Sequence, residues 1–237
     1  WLDVLENGPA SAYADHFDIA WRNADPELSD KVLLPVLGDQ YGAELERGDI
    51  RLAFDAAGGC FTLAYHEHRL PIDPSGYGAL LRLAQRALLP GAMSGVRVNR
   101  LSSLATLFDR LPARNEADAS ARERRQLDTT RLKAALAQHV REFPALVSAI
   151  DQTVTVMNGR PGDRSSFDAL DALIDAQAYR LAHWRIAADE INYRRFFDIN
   201  ELAALRMERP EVFEATHRLL LELATCGAID GLRVDHP

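Results

Sequence analysis

Gly231-Leu232-Arg233-Val234-Asp235-His236-Pro237 is the stretch on which the reading of the fold turns. Apolar and polar residues alternate here. Arg233 and Asp235 therefore fall on one face of a short strand, because side chains i and i+2 point the same way. A guanidinium beside a carboxylate favours the charged form and lowers the carboxylate's pKa. An ionised, oriented aspartate at the C-terminal end of a strand is the kind of group that serves a glycosidase as nucleophile. An ordinary strand-end ion pair has the same spacing, and the two readings stand side by side at this point.

The residues leading into this stretch fit an α/β-barrel unit. Pro210 suits a first helical turn and Glu211 its positive end. Val212, Phe213, Thr216, Leu219, Leu220 and Leu223 recur at helical spacing, and Gly227 supplies a stop. Helix, glycine, short apolar strand and a functional residue at the strand's end is the order in which barrel enzymes carry their catalytic groups.

Working back along the chain, three segments are expected. Residues 1–75 form a small α+β subdomain, residues 76–190 a helical subdomain, and residues 191–237 a helix and strand of a barrel. In the first, Lys31–Leu37, Ile50–Phe54 and Cys60–Tyr65 read as strands. The last two are joined across Asp55-Ala56-Ala57-Gly58-Gly59, and Pro35 sits at an edge or a bulge. In the second, Asp73 and Pro74 start a helix striped by Tyr77, Leu80, Leu81, Ala84 and Leu88. Leu101–Leu111 form another, and the charged run Glu116–Arg125 reads as a solvated face. Pro144 opens a helix ending near Asn158-Gly159. Arg160-Pro161-Gly162-Asp163 is a turn, and Ser165 with Asp168 suggests a capping box. The helix that follows is expected to bury Leu170, Leu173, Ile174, Leu181 and Trp184. The fold class is thus mainly α with a small α+β layer.

At 237 residues and 47% hydrophobic content the chain can bury a substantial core. A net charge of -8 argues against a nucleic-acid partner, and no apolar run is long enough to span a membrane. Cys60 and Cys226 belong to no metal or disulfide motif and read as reduced thiols of a cytoplasmic protein.

Between these segments, Tyr193, Arg194, Arg195, Phe196, Phe197, Asp198 and Asn200 concentrate aromatic, guanidinium, carboxylate and amide groups in eight positions. Pyranose rings offer C–H faces to aromatic rings and vicinal hydroxyls to forked donors and acceptors, so the cluster fits sugar binding. The alternative is that Phe196 and Phe197 anchor a core while the arginines pair with Asp198 and Glu201. His236, beside Asp235, is a further candidate for substrate hydroxyls, and Tyr13, His16, Phe17 and Asp18 are candidates for lining a pocket. His66-Glu67-His68 places two imidazoles on one strand face, half of a metal site. No third ligand has diagnostic spacing, so a structural or solvent-facing pair is the simpler reading, and the expectation for both metal and cofactor is none. His139 and His217 read as satisfied helix residues.

Gly231-Leu232-Arg233-Val234-Asp235 resembles the nucleophile-bearing region of the alpha-amylase superfamily. Asp3-Val4-Leu5-Glu6-Asn7-Gly8-Pro9, Lys31–Gly38, Tyr179–Arg185 and Glu190–Asn200 resemble, in family order, the maltooligosyl trehalose synthases. That resemblance implies a retaining (β/α)8-barrel enzyme with a large insertion between its third and fourth strands. This chain would be mostly the insertion, an internal piece ending on strand four. It implies Asp235 as nucleophile, oriented and kept ionised by Arg233, with the general acid and a third carboxylate elsewhere in a longer parent. The implied reaction converts the terminal α-1,4 bond of a maltooligosaccharide into an α,α-1,1 bond. His236, Tyr193, Arg194, Arg195, Asp198 and Asn200 are the candidate glucan contacts. The piece alone is expected to be inactive. Another α-glucan hydrolase or transglucosylase of the superfamily, or a non-catalytic glucan-binding module, are the alternatives.

Overall fold

The structure is a computed structural model describing residues 1–23, 25–88, 95–116, 118–197 and 199–233. In chain order its elements are α1 (Leu2–Asn7), β1 (Val32–Leu37), α2 (Tyr41–Arg47), β2 (Ile50–Asp55), β3 (Cys60–Tyr65) and β4 (His68–Pro71). Then follow α3 (Tyr77–Ala87), α4 (Gly95–Asp109), α5 (Ala119–Glu142), α6 (Pro144–Met157), α7 (Asp168–Asp175) and β5 (Tyr179–His183). The last are α8 (Ala187–Glu190), β6 (Arg195–Phe196), β7 (Ile199–Ala203) and α9 (Pro210–Thr225). Helix dominates, with three small sheets among the described residues.

Strands β2, β3 and β4 form an antiparallel meander in the register Ile50↔Tyr65 through Asp55↔Cys60. Alternation decides its faces: Ile50 and Leu52 of β2, and Phe61, Leu63 and Tyr65 of β3, are buried. At the β2–β3 tip, Asp55 accepts from the amides of Ala57 (2.9 Å) and Gly58 (3.1 Å). Gly59 lies at φ +62°. A methyl there would overlap the carbonyl oxygen of Lys133 and stand 2.7 Å from the amide nitrogen of Ala137. Only glycine lets the hairpin tip rest on α5.

Helices α3, α4 and α6 pack together, and α6 also covers β2. The amphipathic stripe of α3 buries Tyr77, Leu80, Leu81 and Ala84 as its spacing predicts. The Asp73 carboxylate caps the turn before α3, accepting from Ser75 N at 2.9 Å. One apolar cluster runs through the meander, the helices, β1 and β5, joining Leu34, Leu37, Phe61, Leu63, Phe108, Leu146, Leu170 and Leu181.

Several expectations need correction. Leu181 lies in a strand, not on the helix after Ser165. The helix ends at Asp175 and β5 pairs parallel with β1, Val32 opposite Tyr179. Gln177 explains the break, because its Nε2 donates to Leu173 O (2.5 Å) while its Oε1 accepts from Asp73 N (2.8 Å). Trp184 is largely exposed rather than on a buried face. Ser165 makes no capping box: its hydroxyl donates to Asp163 Oδ1, and Arg164–Phe167 forms a 3-10 turn. Within the charged run, Arg125 is not solvated but 1% exposed. Its guanidinium donates to Asn7 Oδ1 (3.0 Å), Pro112 O (2.6 Å) and Asp73 Oδ1 (2.6 Å), which satisfies the buried charge. Finally, of the strand expected at residues 231–235, residues 231–233 are not in a strand, and residues 234 and 235 lie outside the described residues. Pro35 does sit where the β1–β5 register shifts, between Leu34 and Leu37.

Candidate functional site

Residues 16–20 and 192–206 form a small ladder that builds the candidate site. Arg206 N donates to His16 O (2.8 Å), Arg194 N to Asp18 O (3.0 Å) and Ala20 N to Asn192 O (2.8 Å). Phe17 bridges to Leu205 and Ile19 to Tyr193. On the inner face the Trp1 ring meets Phe17 edge-on at 4.7 Å and Tyr193 at 5.2 Å. Both Phe17 and Tyr193 are buried, and the Tyr193 hydroxyl donates to Asn200 O at 2.6 Å.

The outer face is charged. Arg194 Nη2 donates to Asp18 Oδ2 (2.5 Å), and its two terminal nitrogens grip Glu208 bidentately at 3.1 and 3.0 Å. The hydrogen bonds from Arg194 are the main reason that the exposed Glu208 carboxyl is held at about 2. Arg195 Nη1 donates to Asn200 Oδ1 at 2.7 Å. The arginines therefore find Asp18, Glu208 and Asn200 as partners. Phe196 and Phe197 meet edge to face at 4.4 Å, and Phe197 is exposed with a left-handed backbone, φ +53°. An aromatic residue there is uncommon and holds its ring outward at the β6–β7 turn.

Asn192 ties this ladder to the core. Its Oδ1 accepts from Leu33 N (2.9 Å), and its Nδ2 donates to Lys31 O (2.8 Å) and Ala20 O (3.3 Å). The reading of the sequence did not single out Asn192 or Glu208. The alternation Phe17-Asp18-Ile19 was the available signal for the ladder.

The other candidates fall as follows. Asp198, Asp235 and His236 lie outside the described residues. Arg233 is exposed. Tyr13 is exposed and packs its ring edge-on against His16 at 5.3 Å. His66 and His68 do not share a strand face: His66 sits in the β3–β4 turn at φ +47°, and His68 is on β4 opposite Tyr65. Among the described residues no group of three His, Cys, Asp or Glu is placed to hold a metal. No described helix is long and apolar enough to cross a membrane. His139 is buried, and burial lowers its pKa.

The site is thus an aromatic surface rich in arginine and carboxylate groups that are paired with one another. No family model matches the chain. Two curated relatives, each named putative maltooligosyl trehalose synthase and from two strains of Mycobacterium tuberculosis, are 48% identical over 65 residues. The match takes in 27% of this chain and 8% of each relative's length, so the chain spans a small part of the relatives it matches. The resemblance to maltooligosyl trehalose synthases read from the sequence is met in these relatives. Among solved structures, maltooligosyltrehalose synthase from Arthrobacter ramosus aligns with 100% of this chain and 18% of its own, at 28% identity and TM-score 0.49. A structure described as DSM5389 glycosyltrehalose synthase aligns with 99% of this chain and 20% of its own, at 20% identity and TM-score 0.49.

Proposed function

We propose that this chain is part of a maltooligosyl trehalose synthase, and that it supplies the nucleophile and the insertion covering the mouth of a (β/α)8 barrel. The observation that carries the reading is the 48% identity over 65 residues to relatives named for that activity. The Gly-x-Arg-x-Asp form at residues 231–235 supports it. In this reading residues 1–75, 76–190 and 191–237 are an α+β subdomain, a helical subdomain and the return to the barrel. The two reduced cysteines, Cys60 and Cys226, fit a cytoplasmic setting.

The reaction is an intramolecular transglucosylation. Asp235 attacks the anomeric carbon of the penultimate glucosyl unit, and a glutamic acid elsewhere in the parent protonates the departing oxygen of the terminal glucose. The glycosyl-enzyme forms as the α-1,4 bond breaks. The released glucose turns in place, its anomeric hydroxyl gives its proton back to that glutamate, and its oxygen displaces Asp235 to make the α,α-1,1 bond. Retaining chemistry requires the two carboxyl groups roughly 5–5.5 Å apart. Water must be kept out, since hydrolysis competes for the same intermediate. The helices α3–α6 supply bulk for such a lid. Arg233 keeps Asp235 ionised and oriented, while His236, Tyr193, Arg194, Arg195, Asp198 and Asn200 shape the glucan subsites. The outward Phe197 ring offers a platform for a pyranose face.

Incubating the full-length parent with maltopentaose tests this. The expected product is a pentasaccharide of unchanged mass that has lost its reducing end. Shortened, reducing products assign the chain to a hydrolase instead, and no turnover of any α-glucan removes the reading.

A further inference from the structure

We propose that His139 makes the seam between α4 and α5 acid-labile: a proton on its ring releases the start of α4, Gly95–Arg100, from the helical bundle. His139 is 1% exposed, and neither ring nitrogen has a hydrogen-bond partner. A neutral imidazole tolerates such a place. An imidazolium does not, because a buried charge needs a countercharge and hydrogen bonds of its own.

The surroundings favour the neutral ring. Helix α5 packs against α4 and α6. Arg100 of α4 donates to Glu142 Oε2 at 3.0 Å, and the Arg97 guanidinium stands over the Phe143 ring at 5.1 Å. Glu142 and Phe143 follow His139 by one helical turn, so both guanidiniums close over the end of α5 where the imidazole is buried. Burial first, then Arg100, with a smaller effect of Arg97, holds the imidazole below its ordinary 6.5, while Glu142 and the backbone of Arg97 act the other way. Glu142 is already bonded to Arg100 and to Gln138 Nε2 (2.7 Å). On the same helix Arg141 is exposed and adds positive charge. Asp151, the one charged residue of α6, is exposed. The β2–β3 tip, with Asp55 and Cys60, meets α5 at Lys133 and Ala137, and a residue two positions beyond Ala137 faces nearly the opposite way. A proton on His139 thus sets a third positive charge beside Arg97 and Arg100.

The start of α4 is the part able to yield. Gly95, Arg97, Asn99 and Arg100 are exposed and Val98 is half-buried; the first described residue of the helix to be fully buried is Leu101. Once these residues lift away, the ring meets water and accepts its proton at an ordinary pH. The seam's stability is therefore fully present above pH 6.5 and is lost as pH falls toward the lower folded midpoint. Helix α4 is among those offered above as bulk for a lid, so in the full-length parent acid loosens that lid. This consequence rests on the proposed function; the seam and its test do not.

The test is hydrogen exchange of the full chain between about pH 7.5 and about pH 5, corrected for the intrinsic pH dependence of exchange, with the His139 ring followed by NMR. Protection of the Asn99, Arg100 and Leu101 amides should fall by up to about tenfold per pH unit between 6.5 and the folded midpoint, the limit for one proton. His139→Phe keeps a buried ring and loses the titration, so it should abolish that fall. Arg100→Gln, at an exposed position, should raise the His139 midpoint and make the fall smaller. A His139 midpoint at or above 6.5, an acid fall in His139→Phe as large as in the unsubstituted chain, or a midpoint that Arg100→Gln leaves in place overturns the proposal. The Arg100→Gln arm decides the matter even if His139→Phe fails to fold.

Discussion

The side-chain oxygen of Asn192 accepts the backbone N–H of Leu33 at 2.9 Å, across 159 positions of chain. Through this contact the ladder of the candidate site hangs from the first strand of the core. Asn192→Ala would leave the buried Leu33 donor without its acceptor and free the carbonyl of Lys31. The expected loss is about 2–4 kcal/mol. Urea unfolding measures it, and hydrogen exchange should show the amides of Ala20 and Arg194 losing protection first. A variant as stable as the parent chain would remove Asn192 from this role.

Gly59→Ala should destabilise the chain by more than about 2 kcal/mol, because it combines a left-handed backbone with overlap against α5. Gly162→Ala is the control. Its φ is +91°, but a methyl there meets nothing within 4 Å. Thermal unfolding of the two variants separates the cost of close approach from that of conformation.

The Arg194–Glu208 clamp predicts an acid response. The carboxyl of Glu208 is held at about 2 in the folded chain against an ordinary 4.5, so the native state binds fewer protons there than the unfolded state does. The clamp's contribution is therefore fully present above about pH 4.5 and is lost as pH falls toward 2. Glu208 is exposed, so the effect is modest and weakens with salt. Carboxyl NMR of Glu208 checks it directly: a titration midpoint above 4 would show that the clamp does not form in solution.

Asp235→Asn in the full-length parent should lower turnover by several orders of magnitude while glucan binding largely survives, because the shape is kept and the charge is lost. Arg233→Lys should also slow turnover, since an ammonium cannot reproduce the planar fork of a guanidinium. Single-turnover formation of the trehalose bond, with glucan binding measured in parallel, tests both. Near-parental turnover by Asp235→Asn would take Asp235 out of the mechanism.

Elements whose partners lie close in sequence could be read from the chain. The hairpin Ile50–Tyr65, the α3 stripe, the Pro144 start of α6 and the Pro210 start of α9 each carry their own periodicity and punctuation. The failures share a cause in distance. Tyr179–His183 is five residues long, and only its partner β1, far upstream, makes it a strand. Arg125 looked solvated because Asp73 and Asn7, which neutralise and cap it, lie 52 and 118 positions away. At the site, the composition of 193–200 pointed to a dense polar and aromatic cluster, but Arg194's partner Asp18 is 176 positions distant. Residue types were legible there; pairings were not.

Val32 and Tyr179 sit side by side in the parallel pair, yet 147 positions separate them along the chain (179 minus 32). At a synthesis rate of roughly 5–20 residues per second, β1 leaves the ribosome roughly 7–30 s before the strand that completes it. The three strands of the meander follow one another directly and pair as they emerge. Leu33, Leu34 and Leu37 instead wait with a bare strand edge, the surface on which nascent chains stick to one another and which chaperones cover. The pace of translation between β1 and β5 sets how long the nascent chain is exposed to that hazard.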